Sequence, residues 1–429
     1  MAIISKKEMK KKIKRNSKKK KRNPIEKLIG GSNQPEEEYV EFFTNCNNEI
    51  EDFTYNYDRN TKITLDCTPL IDKLKINKEK FQKSIRDIFN SDIGERDMST
   101  VPKENFLGRG SFKESWKVSE NIALLITHFN VDPEDKGDVQ GEFKGFYIQA
   151  LFSKPIEDGG FGIKGIPMVY DFGKYEYEGR NLEFPEEGVY GFMDKGYSNI
   201  VRNKNQSQKF KKSMIDLTIK LIFNLLIILY QIHKKGYIHY DVKPLNILKL
   251  TNNMSDPEIL LIDFGITVSA KEKRTKILIG SEGYLNPLMR NTELHTDLID
   301  LFSVGITLLD LLPDRLEKHL NEIPNYHTGR LDQYIEIRLP TEEFYNKVRE
   351  KYDEKLKKFF KHCFLNPISN DTSKKEPGYY TKEAIRLLIV YMKDNKNESK
   401  YIDFLIAKKS EMEEEINPKS DLKEIISLM

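Results

Sequence analysis

At 429 residues, 38% hydrophobic and 32% charged, the chain is long enough for two or three domain-sized cores, and its 11% aromatic content argues against wholesale disorder. Its 70 Lys and Arg against 67 Asp and Glu leave a net charge of +3, which excludes a global field of the kind that drives nucleic-acid binding. The three cysteines, Cys46, Cys67 and Cys363, are odd in number and lack metal-ligand spacing, so a reduced intracellular compartment, cytoplasmic or nuclear, is expected.

In chain order, residues 6–22 (KKEMKKKIKRNSKKKKR) are almost all Lys or Arg. With the Pro- and Gly-containing stretch that follows, residues 1–35 read as a disordered basic arm and linker. No apolar segment follows the basic run, so it is not a signal peptide. It is a candidate to bind a polyanion, either nucleic acid or an anionic surface, or to act as a nuclear import signal; the alternative is a solvated tail with no partner.

Residues 36–98 read as a partly helical extension, with apolar residues at helical spacing over 69–89. From about residue 100 the texture changes to short apolar runs. FLGRGSFKESWKV, NIALLITHF, IPMVYDFGKYEY and GVYGFMD read as strands, with a helix over 141–154 among them. Residues 210–236 predict a long buried helix closed by Gly236. Its most apolar part, 221–230, is about half of what a bilayer span needs, so it reads as a core helix with no transmembrane role. Further helices are expected over 295–312, 342–364, 381–393 and 401–416. Strands precede helices, so the class is α+β: a small strand-rich lobe, then a larger helical one.

The most informative stretch is YIHYDVKPLNILKL, 237–250, followed by ILLIDFGI, 259–266. Phosphoryl transfer needs little covalent help from a protein; it needs charge placed around the moving group. One carboxylate must accept or orient the acceptor's hydroxyl proton, an amide oxygen and a second carboxylate must hold Mg²⁺, and a cation must stabilise the γ-phosphate. Asp241, Asn246, Asp263 and Lys243 are those four groups, in that order.

The pattern H-x-D-x-K-P-x-N-I-L, with D-F-G beginning 22 residues after Asp241, resembles the eukaryotic-type protein kinases. GSEGYLNP (280–287) is similar to the end of their activation segment, which closes on A-P-E, and DLFSVG (300–305) to their D-x-W-S-x-G helix start. Lys243, two residues after Asp241, matches the Ser/Thr-kinase form. The resemblance implies a bilobal domain over 99–395, with an N-lobe at 99–195 and a C-lobe at 196–395, followed by a helical tail at 396–429. It implies ATP and Mg²⁺ as cofactors and a protein substrate bearing Ser or Thr. Met193 and Asp194 would be gatekeeper and hinge, where adenine would hydrogen-bond to backbone. A second YDFG, at 170–173, lies upstream in a strand and is read as a strand end.

Two departures from the family pattern concern regulation. Tyr240 stands where the family has the arginine that pairs with a segment phosphate, although Thr267, Ser269, Thr275 and Ser281 are available as acceptors. Asn286-Pro287-Leu288 replaces A-P-E, so the usual anchoring glutamate is missing.

The glycine loop departs as well. Leu107, Gly108, Gly110, Ser111, Phe112 and Ser115 would cover the phosphates, but Lys113 occupies the third-glycine position. The third strand carries Leu125 where a phosphate-binding lysine is usual. This arrangement resembles the with-no-lysine (WNK) kinases, and it implies that Lys113 holds the nucleotide and pairs with Glu142, with Lys117 in reserve. The alternatives are a pseudokinase scaffold that binds nucleotide or partner without turnover, and a small-molecule kinase of the choline or aminoglycoside type.

Overall fold

The computed structural model describes residues 105–109, 113–127, 139–156, 160–177, 186–196, 198–199, 208–250, 257–270, 280–281, 283–286, 295–312, 340, 342–365, 375–395, 398–414 and 421–429. The basic arm, the extension with its expected helix, Gly110 to Phe112, Thr275 and Pro287-Leu288 lie outside the described residues.

Five antiparallel strands form the first sheet: β1 (Phe106–Arg109), β2 (Lys113–Lys117), β3 (Ile122–Thr127), β4 (Val169–Tyr177) and β5 (Glu186–Asp194), in the order β1-β2-β3-β5-β4. Helix α1 (Val139–Ser153) packs on it through Phe143, Phe146 and Ile148, which are buried with Phe172. Strand β2 alternates as a strand must: Glu114 and Trp116 are buried on one face, and Lys113, Ser115 and Lys117 lie on the other. Ser115 pairs with Leu125 and Lys113 with Thr127, so Lys113 and Leu125 share one face of the sheet.

The rest is built on helix α2 (Gln208–Lys234). Within it, Ser213–Lys234 is long and apolar enough to cross a membrane, more than the run 221–230 suggested, because flanking residues extend the apolar stretch. Two thirds of that stretch is buried, with Phe223, Leu225, Leu226 and Leu229 fully enclosed in the core, as expected for a core helix. Gly236 follows it with φ +77°, the left-handed turn that ends many helices. Short strands β6 (Ser198–Asn199), β7 (Tyr237–Ile238), β8 (Ile247–Lys249), β9 (Ile259–Leu261) and β10 (Val268–Ser269) carry the chain past the site.

Helix α3 (Leu298–Leu311) is buried along nearly its whole length. The single helix expected over 342–364 is two: α4 (Glu342–Lys351) and α5 (Glu354–Leu365). Asp353 breaks it, because its carboxylate accepts the N–H groups of Lys355 (2.5 Å) and Leu356 (3.2 Å) and so starts a new helix. Helices α6 (Tyr379–Lys393), α7 (Glu398–Glu414) and α8 (Lys423–Ile426) complete the chain. Tyr401, Phe404, Leu422 and Ile425 belong to the same core as α2, and Tyr401 donates to Asp216 at 2.8 Å.

Candidate active site

The charged side chains of the site fall into two clusters. The first begins with Lys113 on β2. Its Nζ lies 2.6 Å from Glu142 Oε2 on α1 and 2.8 Å from Asp263 Oδ1, and its side chain is 16% exposed. Burial alone would lower the Lys113 pKa. The charges of Asp263 and Glu142 outweigh it and hold the ammonium above the usual lysine range. Burial would likewise raise the Asp263 carboxyl, but Lys113 beside it, with Lys243 and His239 adding to the effect, keeps it below the usual range. The trio is therefore one lysine between two carboxylates.

A glycine explains how Glu142 arrives. Gly145 lies one turn along α1, and a Cβ there would sit 2.7 Å from the Cα and N of Gly265. The helix backbone rests directly on the Asp263-Phe264-Gly265 turn. Glu142 is thereby brought over that turn, 3.4 Å from where a Gly265 Cβ would be. Asp263 itself has φ +69°, unusual for a non-glycine residue. Sequence reasoning missed Gly145; the available signal is a glycine inside a helical pattern, four residues after Gly141.

Lys117 points elsewhere. Its Nζ is 2.5 Å from Glu120 in the β2–β3 turn. Leu125 packs against the core.

The second cluster is the loop that carries Asp241, Lys243 and Asn246, the candidate catalytic loop. Asp241 accepts hydrogen bonds at Oδ2 from Lys243 Nζ (2.7 Å) and Asn246 Nδ2 (2.8 Å), and at Oδ1 from the Ser281 N–H (3.2 Å). Lys243 also reaches the Ser281 hydroxyl at 2.5 Å. Ser281, considered from sequence only as a phosphorylation candidate, thus helps to hold the carboxylate and its lysine. The signal was its place in GSEGYLNP.

Beneath the loop, Asp300 of α3 accepts the backbone N–H groups of His239 and Tyr240, each at 2.8 Å, and His233 at 2.8 Å. This pins Tyr240 at φ +72°. His239 Nδ1 accepts the Asp241 N–H at 3.2 Å, so its proton sits on Nε2 and is donated to Ile262 O, also at 3.2 Å. Burial lowers the His239 pKa against the pull of the carboxylates around it. The Ile262 N–H donates to Asn246 O at 3.0 Å, which ties the loop bearing Asn246 to the one bearing Asp263.

Of the pair expected from sequence to form gatekeeper and hinge, Met193 is buried and receives the Gln149 amide at 3.6 Å. The Asp194 N–H donates to Met168 O at 3.1 Å, and its carboxylate accepts from Tyr170 and from the Met168 N–H. Leu107 is exposed, Gly108 has open space around it, and Ser115 lies on the same face as Lys113. The second YDFG behaves as a strand: Asp171 is fully buried on β4, with Tyr190 donating to it at 3.3 Å.

The chemistry on offer is a fixed carboxylate with a lysine beside it, and a cation clamped by two further carboxylates. Residues 189–373 match the family described as protein kinase domain. The chain is 33% identical over 128 residues to the Aurora kinase of Schizosaccharomyces pombe, covering 30% of this chain and 34% of that one. It is 32% identical over 232 residues to the Dictyostelium discoideum protein named "Probable serine/threonine-protein kinase mkcF", covering 53% of this chain and 29% of that one. The chain thus spans about a third or less of these relatives' own length. The solved structure of vaccinia related kinase 3 aligns with a TM-score of 0.45 at 15% identity, over 69% of this chain and 88% of that one. Residues 189–373, which hold the loop with Asp241, the Asp263-Phe264-Gly265 turn and helix α3, are thus the part of the chain that is similar to a protein kinase domain, and serine/threonine kinases are among its relatives.

Proposed function

We propose that the protein transfers the γ-phosphoryl group of ATP to Ser or Thr hydroxyls of protein substrates, and that Lys113, on the glycine loop's outgoing strand, holds the nucleotide's phosphates. The observation that carries this reading is the contact of Lys113 Nζ with both Glu142 (2.6 Å) and Asp263 (2.8 Å). A lysine so clamped is ionised and aimed, and Leu125 on the same face needs only to fill space.

Asp241 orients the acceptor hydroxyl and takes its proton. Its three donors fix the carboxylate before substrate arrives. Lys243, already beside Asp241, meets the γ-phosphate. Asn246 spends its N–H groups on Asp241, which leaves its amide oxygen as the acceptor; with the Asp263 carboxylate it makes a pair of hard oxygen donors. That set suits Mg²⁺, which takes one or two protein oxygens and fills the rest of its shell with phosphate and water. Bound there, Mg²⁺ would neutralise phosphate charge.

The test is transfer of labelled phosphate from ATP to a generic Ser/Thr substrate. Asp241→Asn should lower turnover by about three orders of magnitude or more with nucleotide binding nearly intact, since the base acts on the acceptor. Asp263→Asn should weaken Mg-ATP binding as well. Wild-type rates in both variants would sink the reading.

The basic run at 6–22 is proposed to bind a polyanion through about a dozen cationic side chains. Deleting residues 1–25 should abolish salt-sensitive retention on heparin while leaving peptide phosphorylation unchanged. Retention by the truncated chain would put the basic site elsewhere.

A further inference from the structure

The five-stranded sheet buries both of its faces. One face takes α1, through Phe143, Phe146 and Phe172, and continues into the core of the helical lobe. The other carries a row of side chains across all five strands: Phe106, Trp116, Leu124, Phe192 and Asp171 are successive partners in the strand register. A second row beside it holds Glu114, Ile126 and Tyr190 and ends at Gly173, where a Cβ would sit 2.9 Å from the Tyr190 ring. Trp116 is 3% exposed, Leu124 0%, Ile126 1% and Phe192 5%. Phe106 lies edge to face on Trp116 at 5.1 Å, and the Trp116 indole N–H donates to Glu114 at 3.3 Å.

An antiparallel sheet can leave one face to water, and its strands then alternate apolar and polar residues. Strand β3 does not alternate: Ile122-Ala123-Leu124-Leu125-Ile126 is apolar throughout, the pattern of a strand covered on both sides. Yet Trp116, Ile122, Leu124, Ile126, Tyr190 and Phe192 lie outside the core that α1 shares with the helical lobe. Among the described residues α1 is the helix that packs on this sheet, and it takes the opposite face.

We propose that the outer face is covered by the chain's own segment 69–89, lying across it as a helix with Phe81, Ile85 and Ile88 against Trp116, Leu124 and Phe192. The segment is outside the described residues, but its sequence and its place in the chain fit this role. Leu70, Leu74, Phe81, Ile85 and Ile88 fall on one helical stripe, and Asp72, Glu79, Lys83 and Arg86 fall opposite. A helix of that length is about 30 Å long, and five strands span about 19 Å from first to last, so one helix crosses the whole row. Residues 90–105, between the segment and β1, can extend to about 50 Å, enough to reach either edge of the sheet. A tether of that kind holds the segment at an effective concentration of about millimolar, which favours it over a second copy of the chain. Strand β2 then lies between two layers, with Glu114 and Trp116 toward the cover and Lys113 toward α1.

Trp116 is the chain's single tryptophan, so its fluorescence reads this face alone. In the full-length protein it should emit as a buried indole and resist quenching by acrylamide. Phe81→Asp together with Ile85→Asp puts two carboxylates on the apolar stripe. That pair should move the emission to longer wavelength and raise the quenching constant severalfold, with the remaining helices intact by circular dichroism. Lys83→Glu together with Arg86→Glu, on the opposite side, should change neither. A wild-type Trp116 that quenches like a free indole overturns the proposal, as does a folded Phe81 and Ile85 variant with wild-type quenching, or an equal effect from the Lys83 and Arg86 pair. If the apolar pair unfolds the whole chain, photocross-linking decides, with p-benzoylphenylalanine replacing Phe81 as one aromatic for another. Cross-links within one chain to peptides holding β2, β3 or β5 support the proposal; cross-links elsewhere only, or only between two chains, refute it. None of these readouts uses ATP, so their failure and that of the kinase reading are separate outcomes.

Discussion

Lys113 and Leu125 lie on the same face of one sheet, two rungs of the β2–β3 ladder holding Lys113↔Thr127 and Ser115↔Leu125. A long cationic side chain from either strand reaches the space beneath, which is why a lysine at one position permits an aliphatic residue at the other. Lys117, the reserve candidate by sequence, also alternates onto that face, yet it is bound to Glu120 at the strand's far end. An exposed pair of that kind contributes about 0–1 kcal/mol at most. Asp171 makes the opposite point: its Asp-Phe-Gly neighbourhood copies the one at Asp263, but among the described residues no cation contributes to its environment. Burial pushes the Asp171 carboxyl well above the usual carboxylate range, against the smaller pull of Tyr190 and of the Phe172 backbone. A carboxyl with a raised pKa in the fold stabilises fully only below its unfolded value of about 4, and that contribution is lost as pH rises. Asp171→Asn should therefore raise the melting temperature at pH 7 and flatten its dependence on pH above about 4. A uniform fall in melting temperature at every pH would contradict this.

At the scale of elements, the site depends on how closely α1 approaches the turn after β9. Gly145 allows the approach, and Gly145→Ala would place a methyl group 2.7 Å from the Gly265 backbone. Overpacking of that kind costs about 1–3 kcal/mol, more than the roughly 1 kcal/mol of helix propensity that alanine returns. Transfer efficiency should fall about tenfold, and the fall should vanish in a Lys113→Met background, because both changes act on one ion pair. Equal losses in the two backgrounds would show that Gly145 acts through folding alone. Strand alternation, the long helix and the spacing of Asp241, Lys243, Asn246 and Asp263 were legible because each is local: period 2, period 3.6 and fixed spacing. The helix break at Asp353 was not, since the apolar period continues across it and only the side-chain cap interrupts the backbone. Nor were Gly145 and the second role of Ser281, whose partners lie 120 and 40 residues away in sequence.

For the whole molecule, the strand-rich lobe supplies Lys113 and Glu142, and the helical lobe supplies Asp263, Asp241, Lys243 and Asn246. Lys113 is the link between them, and the C-terminal helices buttress the second half from behind α2. The measurement that tests this account most directly is the transfer efficiency of Lys113→Met beside that of Lys117→Met, with ATP and a generic Ser/Thr substrate. A charge-assisted contact of this kind contributes about 1.5–3 kcal/mol, so Lys113→Met should lose at least about tenfold while Lys117→Met stays near wild type. Moving the cation, with Lys113→Gly and Leu125→Lys together, should restore part of the loss. Wild-type efficiency in Lys113→Met, or an inactive Lys117→Met beside an active Lys113→Met, would contradict the role assigned to Lys113.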